Sequence, residues 1–600
     1  MQLSTNRPNQ VDAKPPPSSS DLIAPDCHGQ NFYDIDHSLQ GLLKLYLPQD
    51  LRAKLEPHYR RLGELAGTAL AALARTSDRH SPKLHARDAF GRDADRIEFH
   101  PAYREMERLG YGEFGIHCMS RRAGVFGLDQ PVPPVAKYVF QYLFAQAEFG
   151  LMCPISATET TALLIERYGD EALKKRAIPR LLSQDMTVLM KGAQFMTEKS
   201  GGSDVSGIEL SARLEGGEWR LYGDKWFCSC ADADVALLLA RPEGALPGNS
   251  GLALFALPRV RPDGTRNRYR IVRLKDKLGA RSMASGEIVF EGALAWPLGA
   301  VGGVGEGAHN GLKMMMDQVS MSRLSHGVRA ASMMRRCVNE AFAVARHRRA
   351  FGGLLINKPM VRRQLMKLMV PTEQALSVAL FAATQLEQGE RGDADAESCA
   401  RILTPLLKFR TARDNIRVAT GAMEMRGGNG YIEDFVNARL VRDAHLGVLW
   451  EGTSNINAID VLRRAVAGSA AHKPLAAELH VLLDDAAAMG EGFQTSLHDT
   501  VDQAFGFAER VASAGDEPSQ RRAASALYHA TSAVLMACEG ARLGQMGGDA
   551  RRLVFARMVL DHRLRPRDPL GDGDSPAEQI DALLDDAGLP LERARVLVTG

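Results

Sequence analysis

Aromatic side chains are sparse in this 600-residue chain, at 6%. Cysteine is scarcer still: eight positions, none with metal-ligand spacing. Cys228 and Cys230 are the only close pair, and they lack the two-residue gap of a zinc or redox pair. They read as free thiols, small packing residues of a reducing compartment. There is no HExxH motif and no Cys/His cluster, so nothing points to a catalytic metal. No run approaches the roughly 20 apolar residues of a membrane span. The first residues have no apolar signal core; Lys14 is followed by Pro15, Pro16, Pro17 and three serines. Residues 1–30 read as a flexible arm, disordered or loosely wrapped, and the chain as cytoplasmic. An excess of one charge is missing too. The net charge of +2 gives no general reason for a polyanionic partner, although a local basic patch remains open.

What is present is length and apolar content, 45%, enough for several domains rich in helix. Residues 31–190 read as a helical domain, with apolar residues at helical spacing in Tyr138–Phe149, Ala157–Tyr168 and Glu171–Leu182. Over 191–300 the pattern turns to short apolar runs broken by Gly, Pro and Asp, a small antiparallel β domain. Residues 301–467 return to helix. Gly311–Ala350 lacks proline, and its Met-rich start reads as a packed helix face. Two more long helices, 360–388 and 398–424, are expected to kink at Pro371 and Pro405. Residues 468–600 form an extra helical domain, with candidates Leu475–Met489, Thr495–Ala514, Arg521–Leu543 and Ser575–Ala587.

Four local signals carry chemistry, and each alone is more often structural. Met196-Thr197-Glu198-Lys199-Ser200-Gly201-Gly202-Ser203 is a Gly-rich turn whose amides can approach a ligand closely. Trp226-Phe227-Cys228-Ser229 can wall a flat ring and place a hydroxyl beside it. Arg348-Arg349-Ala350-Phe351-Gly352 closes a helix, and arginine there can grip a phosphate or serve the helix dipole. Gly427-Gly428-Asn429-Gly430 is followed by Trp450-Glu451-Gly452-Thr453-Ser454-Asn455. A carboxylate beside Trp and Gly can be desolvated, which raises its pKa toward a range useful for proton abstraction.

In this order and spacing, the four signals resemble the acyl-CoA dehydrogenase family, from about Phe99 to Ala467. Within it, Arg273-Leu274-Lys275-Asp276-Lys277-Leu278-Gly279-Ala280-Arg281-Ser282 and Pro262-Asp263-Gly264-Thr265 look like the AidB branch. The resemblance implies a mainly α fold with a small β domain: a helical N-terminal domain, a middle β domain and a C-terminal four-helix bundle, here with an extra helical domain. It implies FAD, with Gln194, Met196, Thr197, Gly202 and Ser203 along the flavin, Phe227 over a ring face, and Cys228 and Ser229 near N5. Arg348 and Phe351, with Glu424, Gly427 and Gly428, would meet a neighbouring subunit's FAD, and Thr453, Ser454 and Asn455 would also touch FAD. Ser203, Arg323 and Gly452 would contact substrate. Glu451 holds the catalytic-base position. It would remove a Cα proton beside a thioester while a hydride leaves Cβ for the flavin. An electron-transfer flavoprotein as acceptor and a homodimer or homotetramer are implied as well.

Two departures mark this chain. The family often has an Asp three residues before the substrate-side Arg323, and here it is Ser320. The second base position used by some members is Ser322, which leaves Glu451 as the only candidate. Trp450, bulkier than the usual Tyr, narrows the pocket. The competing reading is an AidB-like DNA-associated flavoprotein. Residues 465–600 hold 13 basic against 20 acidic side chains, which as a whole repels phosphates. Arg551, Arg552, Arg557, Arg563 and Arg565 form a local basic stretch, which a solvated helix face explains, so the enzyme reading ranks first.

Overall fold

The computed structural model describes residues 22–301, 311–566, 570 and 576–599. Helices from both ends of the chain flank a β barrel and a bundle of three long helices. Asp36 caps the first helix, His37–Tyr46, by accepting from Leu39 N. The expected N-terminal helices appear as Pro134–Ala145, Met152–Tyr168 and Glu171–Leu181. The first is buried on all sides, which suits its largely apolar sequence; its one charge, Lys137, pairs with buried Glu159 at 2.7 Å. A hairpin, Lys83–Arg87 with Asp93–Glu98, interrupts the helices. It docks on the barrel through Asp95, which accepts from Ile271 N at 2.7 Å and pairs with Arg266.

Much of the expected flexible arm, residues 1–21, lies outside the described residues. Residues 22–30 are wrapped onto the fold rather than disordered, because their backbone is held. Arg348 donates to Leu22 O at 2.7 Å, Arg426 to Ala24 O and Pro25 O at 3.2 Å, and Cys27 is buried.

In the β domain, strand Val235–Pro242 pairs with Ala253–Pro258, which pairs with Ser285–Leu298, then Glu218–Ser229, then Ser211–Glu215, and so back to the first. The pairings close on themselves and leave fewer edges exposed. Antiparallel pairing dominates. Gly192–Phe195 joins Val235–Pro242 in parallel, as does Ser211–Ala212.

The bundle is built from Gly311–His347, Pro359–Glu390 and Ala394–Arg426. The last two run continuously through Pro371 and Pro405. Met314 and Met315 are buried, as a packed face requires. Helix Pro359–Glu390 is long and apolar enough to cross a membrane by composition, yet 94% of that stretch is buried inside the protein. The extra C-terminal helices, chiefly Glu491–Ser513 and Gln520–Gln545, dock through buried ions. Arg552, 3% exposed, reaches Glu373 at 2.6 Å and Glu539 at 2.8 Å. Truncating one partner of such a set leaves an uncompensated buried charge, a loss of about 3–5 kcal/mol.

Candidate active site

The Gly-rich turn is built on a buried ion pair. Lys225 Nζ lies 2.6 Å from Glu198 and donates to Met196 O at 3.2 Å. Glu198 also accepts from Glu209 N at 2.7 Å, and Trp226 N donates to Thr197 O at 2.8 Å. These bonds fasten residues 196–198 against strand Glu218–Ser229. Gly201 has no room for a side chain, since a Cβ there would lie 2.3 Å from Asp204 O. Gly202 and Ser203 are exposed beyond it. Gln194 points its amide to Met315 Sδ at 3.2 Å, linking the turn to the start of helix Gly311–His347.

Strand alternation decides which aromatic neighbours face out. Phe227 is half exposed and Ser229 partly so, whereas Cys228 is fully buried. The Cys228 side chain, expected against the cofactor, therefore points into the barrel, and only its backbone can face a ring. Lys275 Nζ stands 3.1 Å over the Trp226 ring and 4.8 Å from Phe227.

Glu451 sits on a left-handed backbone, φ +54, uncommon for a residue with a side chain. The turn is fixed from several sides. Arg323 donates from Nε to Glu451 O at 3.2 Å, Lys408 donates to Gly452 O, and Asn457 donates to Gly452 O at 2.7 Å. The Glu451 side chain is 15% exposed, and its Oε2 is buried without a partner. Oε1 lies 3.5 Å from Arg329 Nη2. Burial raises the carboxyl pKa, opposed by Arg329, then Lys408, then Arg323. Lys408 is itself pushed down to about 7 by burial. Trp450 stacks on Phe149, ring centres 5.6 Å apart, so the carboxylate stands beside an aromatic wall.

Arg323 differs from its expected role. It is 4% exposed and pairs with buried Asp460, so it supports the Glu451 turn rather than presenting itself to substrate. Asp460 supplies the carboxylate absent at Ser320. Thr453 stands at the N-cap position of the next helix, Ser454–Ile459, with no side-chain bond to it. Ser454 and Asn455 accept weakly from Arg413 and Arg521, each at 3.5 Å.

A second group hangs on other contacts. Arg348 is exposed and bonded to Leu22 O, Phe351 is 89% exposed, and Glu424 accepts from Gln364 at 3.3 Å. Gly427 has φ +68, and a Cβ on Gly428 would meet nothing within 4 Å. These residues present an open surface.

Sequence reading missed Arg329, Lys408, His326 and Phe149. No local signal marks them, because each lies within an ordinary helix or loop and becomes notable only through burial beside Glu451.

The first group fits FAD. A backbone turn that excludes side chains, outward hydroxyls and a half-exposed aromatic ring suit a flat, phosphate-bearing cofactor. Three family models match the chain: the adaptive response protein AidB N-terminal domain over 23–186, the acyl-CoA dehydrogenase middle domain over 193–293, and the acyl-CoA dehydrogenase C-terminal domain over 309–466. The putative acyl-CoA dehydrogenase AidB of Escherichia coli is 34% identical over 417 residues, 67% of this chain and 72% of its own. Acyl-CoA dehydrogenase family member 11 of Caenorhabditis elegans is 30% identical over 450 residues, 72% of this chain and 70% of its own. Among solved structures, Bd2924 in its apo form superposes with TM-score 0.76 at 30% identity, over 86% of this chain and 99% of that one. ACDH-11 of Caenorhabditis elegans, in complex with C11-CoA, gives 0.80 at 25%, over 93% and 95%. Members of this family are FAD-dependent flavoproteins. On fold, motif order and these matches, the chain is an oxidoreductase that belongs to the acyl-CoA dehydrogenase family, in its AidB-like branch.

Proposed function

We propose that this protein dehydrogenates an acyl-CoA thioester between Cα and Cβ, with Glu451 taking the Cα proton. The observation that carries the reading is the Glu451 carboxylate, buried, held by a fixed turn and with Oε2 unpartnered. Burial makes it a stronger base, while Arg329, Lys408 and Arg323 favour its ionised form. Trp450 and Phe149 shield the reacting carbons from water. A Cα–H is too weak an acid to ionise unaided. Donors aimed at the thioester oxygen are needed, typically worth about 3 kcal/mol each.

FAD, when bound, supplies the acceptor for the hydride that leaves Cβ. Thr197, Gly202, Ser203, Phe227 and Ser229 would hold it from one subunit, with Thr453–Asn455 at its edge. Arg348, Phe351, Glu424, Gly427 and Gly428 would complete the site of a second copy, which makes the active form a homodimer or homotetramer. An electron-transfer flavoprotein is the proposed acceptor. The C11-CoA complex of the nematode neighbour supports a CoA thioester as substrate class.

Anaerobic bleaching of the flavin by a panel of acyl-CoAs tests the reading. A yellow protein bleached by at least one thioester is expected. A colourless protein that takes up no added FAD would overturn the cofactor assignment, and a monomer with full FAD occupancy by light scattering would overturn the shared site.

A further inference from the structure

Beside the proposed base stands a cation that a plain aliphatic chain cannot use. Arg329, midway along helix Gly311–His347, is 1% exposed and among the largest fully buried side chains of the protein. A guanidinium out of water is costly unless its N–H groups are matched. Here they are matched only in part. Nε donates to Ser325 O at 3.3 Å, Nη2 lies 3.5 Å from Glu451 Oε1, and Nη1 has no partner.

Two aromatic rings flank this guanidinium. The guanidinium carbon lies 4.9 Å from the Trp450 ring centre and 5.4 Å from that of Phe149. Glu451 Oε2 is buried and equally unpartnered. A donor and an acceptor, each orphaned, therefore belong to one ion pair flanked by two aromatic rings. Oε2 is matched by the acidic C–H of a substrate. Nη1 calls for an acceptor on that same substrate, and an arginine is best matched by a carboxylate.

We propose that Arg329 selects acyl-CoA thioesters whose acyl chain ends in a carboxylate, a short dicarboxylic monothioester, and that Nη1 binds this carboxylate. The inference rests on the reading of Glu451 as the Cα base. The chain must be short, because Arg329 lies within 3.5 Å of the carboxylate that reaches Cα. Binding has a second effect. The substrate carboxylate on Nη1 shares the guanidinium charge with Glu451 on Nη2, so an acidic tail weakens the hold of Arg329 on the base as it seats the substrate. A methyl-ended tail leaves the base paired and Nη1 buried without a partner. Sites built to hydrogen-bond a substrate group reject the analogue that lacks it by large factors.

The test uses the FAD-loaded wild-type protein and its Arg329→Lys and Arg329→Met variants. Anaerobic flavin bleaching is followed with two length-matched pairs, glutaryl-CoA against pentanoyl-CoA and adipoyl-CoA against hexanoyl-CoA. We expect the wild type to favour the carboxylate member by at least about 10-fold in kcat/KM. Arg329→Lys should keep part of that preference and Arg329→Met should abolish or invert it. Equal rates with both members of each pair in the wild type would overturn the proposal, even if the variants failed to fold. So would an Arg329→Met variant slowed equally on both, which marks an arginine that only holds the turn. If no thioester bleaches the flavin, the dehydrogenation reading falls. The tail preference is then read separately from the flavin difference spectrum on binding, where equal affinities would overturn this inference and a preference for the carboxylate would keep it.

Discussion

Trp450 donates its indole N–H to His326 Nδ1 at 2.9 Å, the two rings standing edge to face. Burial, with Arg329 and Lys408 nearby, holds the His326 pKa well below the usual range. The imidazole is therefore neutral and accepts through Nδ1, which leaves the hydrogen on Nε2. A Cβ on Gly447 would come within 2.8 Å of that Nε2, so the chain passes His326 where only glycine fits. This bond orients Trp450, and Trp450 leads directly into the Glu451 turn.

Trp450→Phe keeps a ring against Phe149 but leaves Nδ1 of His326 unpaired and buried. The expected cost is about 1–3 kcal/mol of stability, read as a lower Tm. Flavin reduction should slow as well, because the turn loses an anchor. An unchanged Tm would show that the bond does not position this turn.

Glu451→Gln removes the base while keeping size and much of the hydrogen bonding. Flavin content should be unaffected, and the rate of flavin reduction by an active thioester should fall by at least about 100-fold. Stopped-flow absorbance under nitrogen measures it. Retention of a tenth or more of the rate would move the base elsewhere.

The pH dependence of reduction follows from the groups around Glu451. Burial raises its pKa, and Arg329, Lys408 and Arg323 lower it. The ionised form is the base, so the rate rises with pH through this pKa. Arg329→Met removes the largest lowering influence, and the ascending limb should move to higher pH. A limb that stays in place, measured on the reductive half-reaction between about pH 5 and 9, would rule out Arg329 as a tuning partner.

Asp443 is 6% exposed and accepts from Ala280 N at 2.7 Å. Burial pushes its pKa up to about 7, against the lowering effect of Arg439 and the backbone bond, while Asp78 and Glu148 add to the rise. A pKa raised in the folded state contributes stability that is fully present below the unfolded value and is lost as pH rises through 7. A shift of this size corresponds to about 4 kcal/mol at most. Asp443→Asn should flatten the fall in Tm between about pH 4 and 7. A variant whose Tm falls as steeply as that of the wild type would contradict this.

Duplex DNA should bind weakly or not at all near 0.15 M salt, as tested by fluorescence anisotropy with a labelled duplex. The arginines that the sequence offers for phosphates are largely committed within the fold. Arg551 bonds Leu583 O and Ala587 O, Arg552 is buried on Glu373 and Glu539, and Arg557 and Arg565 pair with Asp561. Submicromolar binding that weakens when Arg563 or Arg565 becomes Glu would bring the DNA-associated reading forward.

Much of the architecture was legible in the chain itself. The helical spacing of Leu312, Met315, Val319 and Leu324 reports a single backbone period, and it predicted helix Gly311–His347 to within three residues of its end. Gly201–Gly202 and the Trp450–Glu451–Gly452 turn were also readable, because glycine and a flanking aromatic mark local backbone needs. The alternation that buries Cys228 between Phe227 and Ser229 was readable in principle, since it is a property of any strand.

What the chain could not reveal is which distant groups share one low-dielectric space. Arg323 finds its carboxylate at Asp460, 137 residues on, where the local pattern showed only the loss at Ser320. Residues 22–27 look like a disordered arm by composition and are ordered by Arg348, Arg426 and Glu340. Arg329 carries no local mark in the sequence and becomes notable only beside Glu451, with Phe149 and Trp450 against its guanidinium. Periodicity and turn chemistry are short-range, set by sterics within a few residues. Burial and charge pairing depend on the dielectric and the partners that the whole fold brings together, so they were decided only by tertiary structure.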